Sequence, residues 1–159
     1  MRALPLILAI LPLPALACPQ GTALLSCPIG TKQLQLCLTA EAVTYSFGPQ
    51  GAPDLTLTTP IQQAAYTPWP GVGSAIWDSL AFTNNDITYE VWTSVDRNPE
   101  ATRGLQGGVN VLRADTLVAQ LTCKDGTVTS DLTPVFEAKE SAGQCWNFDT
   151  LAWQTAPCP

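Results

Sequence analysis

Ala75-Ile-Trp-Asp-Ser-Leu-Ala-Phe-Thr-Asn-Asn-Asp-Ile-Thr-Tyr-Glu-Val-Trp-Thr-Ser-Val95 is the stretch on which the fold class turns. Two alternating runs, residues 75–83 and 87–95, flank Asn84-Asn85-Asp86, whose side chains tolerate positive φ and so suit a short hairpin connection. In the second run Ile87, Tyr89, Val91 and Val95 fall on one face, and Thr88, Glu90, Trp92 and Ser94 on the other. Period two with β-branched and aromatic residues is the pattern of a half-buried strand.

The same pattern continues in both directions. Toward the C-terminus, residues 109–113 and 116–123 read as a hairpin turning at Ala114-Asp115, and Lys124-Asp125-Gly126 turns again into Thr127-Val128-Thr129. Toward the N-terminus, Leu34, Leu36 and Leu38 oppose Gln33, Gln35 and Cys37, and Val43, Tyr45 and Phe47 oppose Thr44 and Ser46. A turn-rich connection over residues 48–53 then leads into the alternating segment 54–59. Turn signals at intervals of about 8 to 12 residues predict an all-β domain, a single antiparallel sandwich or small barrel. Two stretches depart from the pattern. Residues 97–108, with Pro99, Gly104, Gly107 and Gly108, predict a mobile loop, and residues 135–144 predict one or two helical turns ending at Gly143. The tail from residue 145 onward is expected to be pinned by Cys145 and Cys158.

Residues 1–17 predict a removable signal peptide: Arg2 supplies the positive start, residues 4–13 an apolar run, and Ala15-Leu16-Ala17 a small-x-small cleavage site. Cleavage there leaves a single domain over residues 18–159 with six basic and thirteen acidic residues, a net −7. Such a balance gives no electrostatic reason to seek nucleic acid or an anionic membrane surface, and no later segment is apolar for long enough to span a bilayer. The chain is therefore expected in the periplasm or outside the cell. Its six cysteines, Cys18, Cys27, Cys37, Cys123, Cys145 and Cys158, predict three disulfides. Local spacing suggests Cys27 with Cys37 across the turn at Pro28-Ile29-Gly30, leaving Cys123 with Cys145 and Cys18 with Cys158 to complete the set.

Histidine is absent. This removes Ser-His and Cys-His nucleophiles, a His general base and any His-based metal site. Lys32, Lys124 and Lys139 lie in turns or a polar segment with no Ser-x-x-Lys spacing, so a lysine base is not indicated either. Two carboxylates suffice for glycoside hydrolysis, and Asp78, Asp86, Glu90 and Asp96 cluster around the central hairpin. Asp86 is more simply a turn residue, Asp96 a strand terminator and Glu90 a solvent-facing residue. Asn84-Asn85-Asp86 is the one candidate for calcium, and a turn accounts for it better. The expectation is a protein that is not an enzyme and needs no metal or cofactor.

What remains is binding. In Tyr66-Thr-Pro-Trp-Pro-Gly-Val-Gly-Ser-Ala-Ile-Trp77, Pro68 and Pro70 fix the backbone on either side of Trp69, so the aromatic group has little entropy left to lose on meeting a partner. The same segment also suits a structural cap, with Trp69 closing one end of the β-domain. Trp69, Trp77 and Trp92 together offer a possible aromatic platform for a glycan.

Two resemblances follow from these segments. Cys27-x9-Cys37, Tyr45-Ser-Phe-Gly-Pro, Pro53-Asp-Leu-Thr-Leu, Trp69-Pro-Gly-Val-Gly and Leu121-Thr-Cys together resemble a group of uncharacterised exported proteobacterial β-proteins, a likeness that brings no activity with it. Ser74-Ala-Ile-Trp77 followed by Tyr89-Glu-Val-Trp-Thr-Ser-Val-Asp is similar to the periplasmic and membrane-bound inhibitors of C-type lysozyme, small exported β-barrels. That resemblance implies that Ser74 engages the catalytic acids of a lysozyme. The Lys that the family carries in its second strand is missing, with Ser94 and its neighbours in its place. The combined expectation is an exported, non-catalytic binding protein, in its specific form an inhibitor of a cationic lysozyme-like cell-wall hydrolase. Its binding residues are Trp69, Ser74, Trp77 and Trp92, and the alternative is a glycan-binding module using the exposed tryptophans.

Overall fold

The structure, a computed structural model, describes residues 18–19 and 21–157. The expected leader and Cys158 lie outside the described residues. The chain forms β1 (Thr22–Ile29), β2 (Lys32–Leu38), β3 (Ala42–Gly48), β4 (Leu55–Pro60), a 3-10 turn (Ile61–Gln63) and β5 (Ala65–Thr67). It continues with β6 (Ala75–Asn84), β7 (Ile87–Asp96), β8 (Gln106–Arg113), β9 (Thr116–Thr122) and β10 (Thr129–Ser130). The helix α1 (Thr133–Ser141) and the hairpin strands β11 (Gln144–Asn147) and β12 (Ala152–Thr155) complete it. One five-stranded sheet runs β10-β1-β2-β3-β4 and the other β5-β6-β7-β8-β9, with every pairing antiparallel. Both sheets are open, so of the two expected architectures the sandwich is correct and the closed barrel is not.

The alternation read from the sequence is the alternation that packs. Leu34, Leu36, Val43 and Tyr45 from the first sheet and Leu80, Phe82, Val91 and Val109 from the second are fully buried in one core. Tyr45 joins the layers, with its ring centroid 5.5 Å from Phe82 and 5.6 Å from Tyr89. The central hairpin closes one residue tighter than expected, because Asn84 pairs with Ile87 and leaves only Asn85-Asp86 in the turn. The next hairpin turns on Ala114 (φ 45°) and Asp115 (φ 63°), the paired positive angles whose twist matches two antiparallel strands.

The structure departs from the sequence reading at several local points. The strand β1 precedes the stretch where alternation is visible: Leu24 and Leu25 are both buried, at a register shift between Ala23 and Leu25. Two consecutive inward residues at such a bulge break the period that identifies a strand. The mobile loop expected over 97–108 ends at residue 105, and Gly107 and Gly108 are strand positions. A Cβ on Gly107 would lie 3.1 Å from the Trp92 carbonyl oxygen, and one on Gly108 would meet the Leu121 carbonyl, so these glycines permit close backbone approach rather than mobility. The helix ends where expected, before Gly143 (φ 81°), but begins earlier, at Thr133.

A further correction concerns the disulfides. Cys18 pairs with Cys37 and Cys27 with Cys123, in place of Cys27–Cys37, Cys123–Cys145 and Cys18–Cys158. The β1–β2 register shows why: Cys27 lies opposite Leu34 and points into the core, whereas Cys37 lies opposite Ala23 on the outer face. Two cysteines on opposite faces of a hairpin cannot meet. Cys27 instead reaches the end of β9 and ties the first sheet to the C-terminal third of the chain. Cys145 is also disulfide-bonded. Such bonds persist in an oxidising compartment outside the cytoplasm. Among the described residues, no helix is long and apolar enough to cross a membrane.

A buried polar centre lies where α1 meets the 3-10 turn. Lys139, 1% exposed, donates from Nζ to the carbonyl oxygens of Ile61 (3.2 Å) and Ala64 (2.9 Å) and sits 4.8 Å from the centre of the Trp153 ring. Desolvation lowers its pKa to about 8. Trp153 in turn packs on Phe136 and Trp146 and donates its indole N–H to the Tyr66 carbonyl at 2.7 Å.

Candidate functional site: a fixed loop beside an acidic cleft

Pro68 and Pro70 restrict the backbone around Trp69, and four further groups hold the loop that follows. The Trp69 backbone N–H donates to Asp78 Oδ1 at 3.2 Å, and the Tyr66 hydroxyl donates to the same oxygen at 3.1 Å. The Trp69 indole N–H donates to the Val72 carbonyl at 2.9 Å. Arg97, just beyond β7, lays its guanidinium 5.1 Å from the Trp69 ring centre and donates to the Gly73 carbonyl at 2.9 Å. Its backbone N–H donates to the Ser74 carbonyl at 3.0 Å. Gly71 (φ 85°) and Gly73 (φ 98°) take backbone angles that favour glycine on either side of Val72. The outcome is an immobilised base under an exposed tip, where Val72 is 67% and Ile76 40% exposed and Ser74 is exposed between them.

Beside this loop, between the two sheets, lies a cleft of about 160 Å³ lined by Ile76, Asp78, Thr93, Leu105, Asp131 and their neighbours. Asp78 and Thr93 are cross-strand partners on β6 and β7, and Asp131 arrives from the segment between β10 and α1. Burial pushes the Asp78 carboxyl above its ordinary value, the Trp69 N–H and Tyr66 O–H partly offset that, and the Asp131 charge raises it further. The Tyr66 hydroxyl is raised by burial and then by the Asp78 and Asp131 charges.

The residues singled out in the sequence divide between this site and the outer sheet face. Trp69 and Ser74 belong to the loop. Trp77, paired with Ser94, and Trp92, paired with Ser79, lie diagonally on the outer face of the second sheet. Among the described residues no ring contact joins Trp69, Trp77 and Trp92, and Trp92 packs over Gly108 with its indole N–H buried and unpaired. The other carboxylates of the hairpin have structural partners. Asp86 pairs with Arg113 at 3.2 Å, Glu90 accepts from the Asn110 amide at 3.0 Å, and Asp96 accepts the Asn98 N–H at 2.8 Å. Arg97 and Asp131 escaped the sequence reading because both lie in connections whose course no periodicity predicts. The one available signal was Asp78, a carboxylate among the apolar residues Ile76, Leu80 and Phe82 on the inward face of β6.

No family model, curated protein or solved structure matches this chain.

Proposed function

We propose that this is an exported, non-catalytic protein that binds another protein through the loop 68–76, acting in the periplasm or outside the cell as an inhibitor of a lysozyme-like cell-wall hydrolase. The observation that carries the reading is the contrast within the loop: its base is fixed by Asp78, Arg97 and the Trp69 indole, while Val72, Ser74 and Ile76 stand exposed. A surface already held in one conformation loses little entropy on association, the property that distinguishes tight inhibitory loops from mobile ones. The acidic balance of the chain, thirteen acidic against seven basic residues, favours encounter with a cationic enzyme. Ser74, which the resemblance to lysozyme inhibitors aligns with their contact serine, is exposed on this loop, and that supports the reading.

The reading is tested by assaying C-type, G-type and I-type lysozymes with and without micromolar protein, and by passing each over the immobilised chain. Inhibition that Val72→Asp abolishes is the expected result. A panel in which no lysozyme is slowed or retained sinks the inhibitor reading. The glycan alternative predicts a change in Trp fluorescence on titration with peptidoglycan fragments; it is weakened by the Arg97 guanidinium that lies over the Trp69 ring.

A further inference from the structure

We infer that the cleft beside the loop is a pocket for a lysine side chain presented by the protein partner, an inference that rests on the loop being the binding surface. Three groups around it keep hydrogen-bonding capacity that the described residues do not use, and Asp131 is itself exposed. Asp78 receives both of its hydrogen bonds on Oδ1, so Oδ2 accepts none from the described residues. Asp131 accepts the Thr133 N–H on Oδ1 at 3.0 Å, and its Oδ2 is likewise unengaged. Thr93, only 5% exposed, lines the cleft with no hydrogen-bond partner for its hydroxyl among the described residues. Neither carboxylate has an ion-pair partner within the described chain, whose two salt bridges, Lys32–Asp54 and Arg113–Asp86, lie elsewhere on the surface. Arg97 is committed to Trp69 and Gly73.

Two carboxylates and a hydroxyl facing one small cleft favour a cation as its occupant, and the walls specify what kind. An ammonium group has three donors, matching Asp78 Oδ2, Asp131 Oδ2 and the Thr93 hydroxyl. Ile76, Val95, Leu105 and Leu132 line the same cleft and give its walls the apolar surface along which a lysine's methylene stem packs. Calcium, which takes about six to eight oxygens, would find too few here. Ile76 belongs both to the cleft and to the loop, so a partner seated on the loop tip carries its neighbouring side chains to the mouth of the pocket.

The probe is Nα-acetyl-lysinamide, titrated into the 15N-labelled protein, with Nα-acetyl-norleucinamide as the neutral analogue and Nα-acetyl-argininamide as the planar cation. Saturable shifts at the Asp78, Thr93 and Asp131 amides with the lysine probe alone are the expected result. Asp131→Asn keeps the acceptor for Thr133 N–H, and it is expected to weaken that binding by at least about tenfold, the loss of one hydrogen bond to a charged group. Equal shifts with the norleucine probe, or none with lysine, overturn the pocket; tighter binding of the arginine probe overturns the ammonium assignment. Lysine binding that survives while every lysozyme fails to bind separates the pocket from the inhibitor reading. Partner binding that Asp131→Asn leaves unchanged overturns the pocket and spares the loop.

Discussion

Lys139 and Asp78 are both ionisable side chains withdrawn from water, and they differ in how completely the protein answers them. Lys139 has two backbone carbonyls within hydrogen-bond distance and an aromatic face beside it, and it is sealed under α1. Asp78 is answered on one oxygen only, and the other is left with a cleft, a second carboxylate and an unpaired threonine for company. Tyr66 links the two centres, accepting the Trp153 indole on its carbonyl and donating its hydroxyl to Asp78. Lys139 fastens α1 to the 3-10 turn despite the desolvation of its charge, whereas Asp78 keeps one oxygen open to the cleft, where a further partner can bind.

The largest effect is expected from breaking the fastening. Lys139→Met sheds a charge that desolvation disfavours, but stranding both the Ile61 and Ala64 carbonyls outweighs that relief, and about 2–4 kcal/mol of stability should be lost, measured by urea unfolding. Asp78→Ala should cost less, about 1–3 kcal/mol, since it frees the Trp69 N–H and the Tyr66 hydroxyl. Asp78→Asn keeps an acceptor oxygen and sheds a charge that burial disfavours, so its stability at neutral pH should equal or exceed that of the parent. A strongly destabilised Asn variant would contradict the picture of a carboxylate only half at home.

The pH dependence separates the two centres by sign. The folded-state pKa of Lys139, about 8 against an ordinary 10.5, means that the unfolded chain holds the extra proton between these values, so stability rises with pH there. The clean window is pH 8 to 10, below the range in which Tyr45 and Tyr66, both raised by burial above their ordinary 10.0, begin to matter. Asp78 is raised above 3.8, so the folded state holds the extra proton just above that value and stability falls as pH rises through the window. The alkaline slope should vanish in Lys139→Met and the acidic one in Asp78→Asn, with denaturant midpoints across pH as the readout. The smallest effect belongs to Arg97→Gln. An exposed cation–π contact is worth about 0.5–1 kcal/mol, so global stability should barely move while amide exchange quickens at residues 71–74.

These centres were not equally legible in the sequence. Periodicity located β6, β7 and β9 to within a residue at each end, because burial on one face alone writes an alternating pattern, but it began β8 three residues late, at Val109. It missed β1, where Leu24 and Leu25 turn inward together. It also misjudged the disulfides, since spacing says how near two cysteines are along the chain and only register says which face each occupies. Trp69 was visible through its flanking prolines, yet the Arg97 that holds it and the Asp131 that completes the cleft come from loops in other parts of the chain. Lys139 read as an ordinary polar residue because burial at a helix face depends on what packs there, here the 3-10 turn and Trp153.

The central claim is that the loop end is the working surface and the Lys139 centre is scaffold. The most direct test is the 15N spectrum of the protein mixed in turn with C-type, G-type and I-type lysozymes. The account predicts that at least one perturbs the amides of residues 71–76 together with Asp78, Thr93 and Asp131, leaving those around Lys139 and Trp153 in place. Perturbations centred on α1 and the β11–β12 hairpin, or none with any of the three, would contradict it.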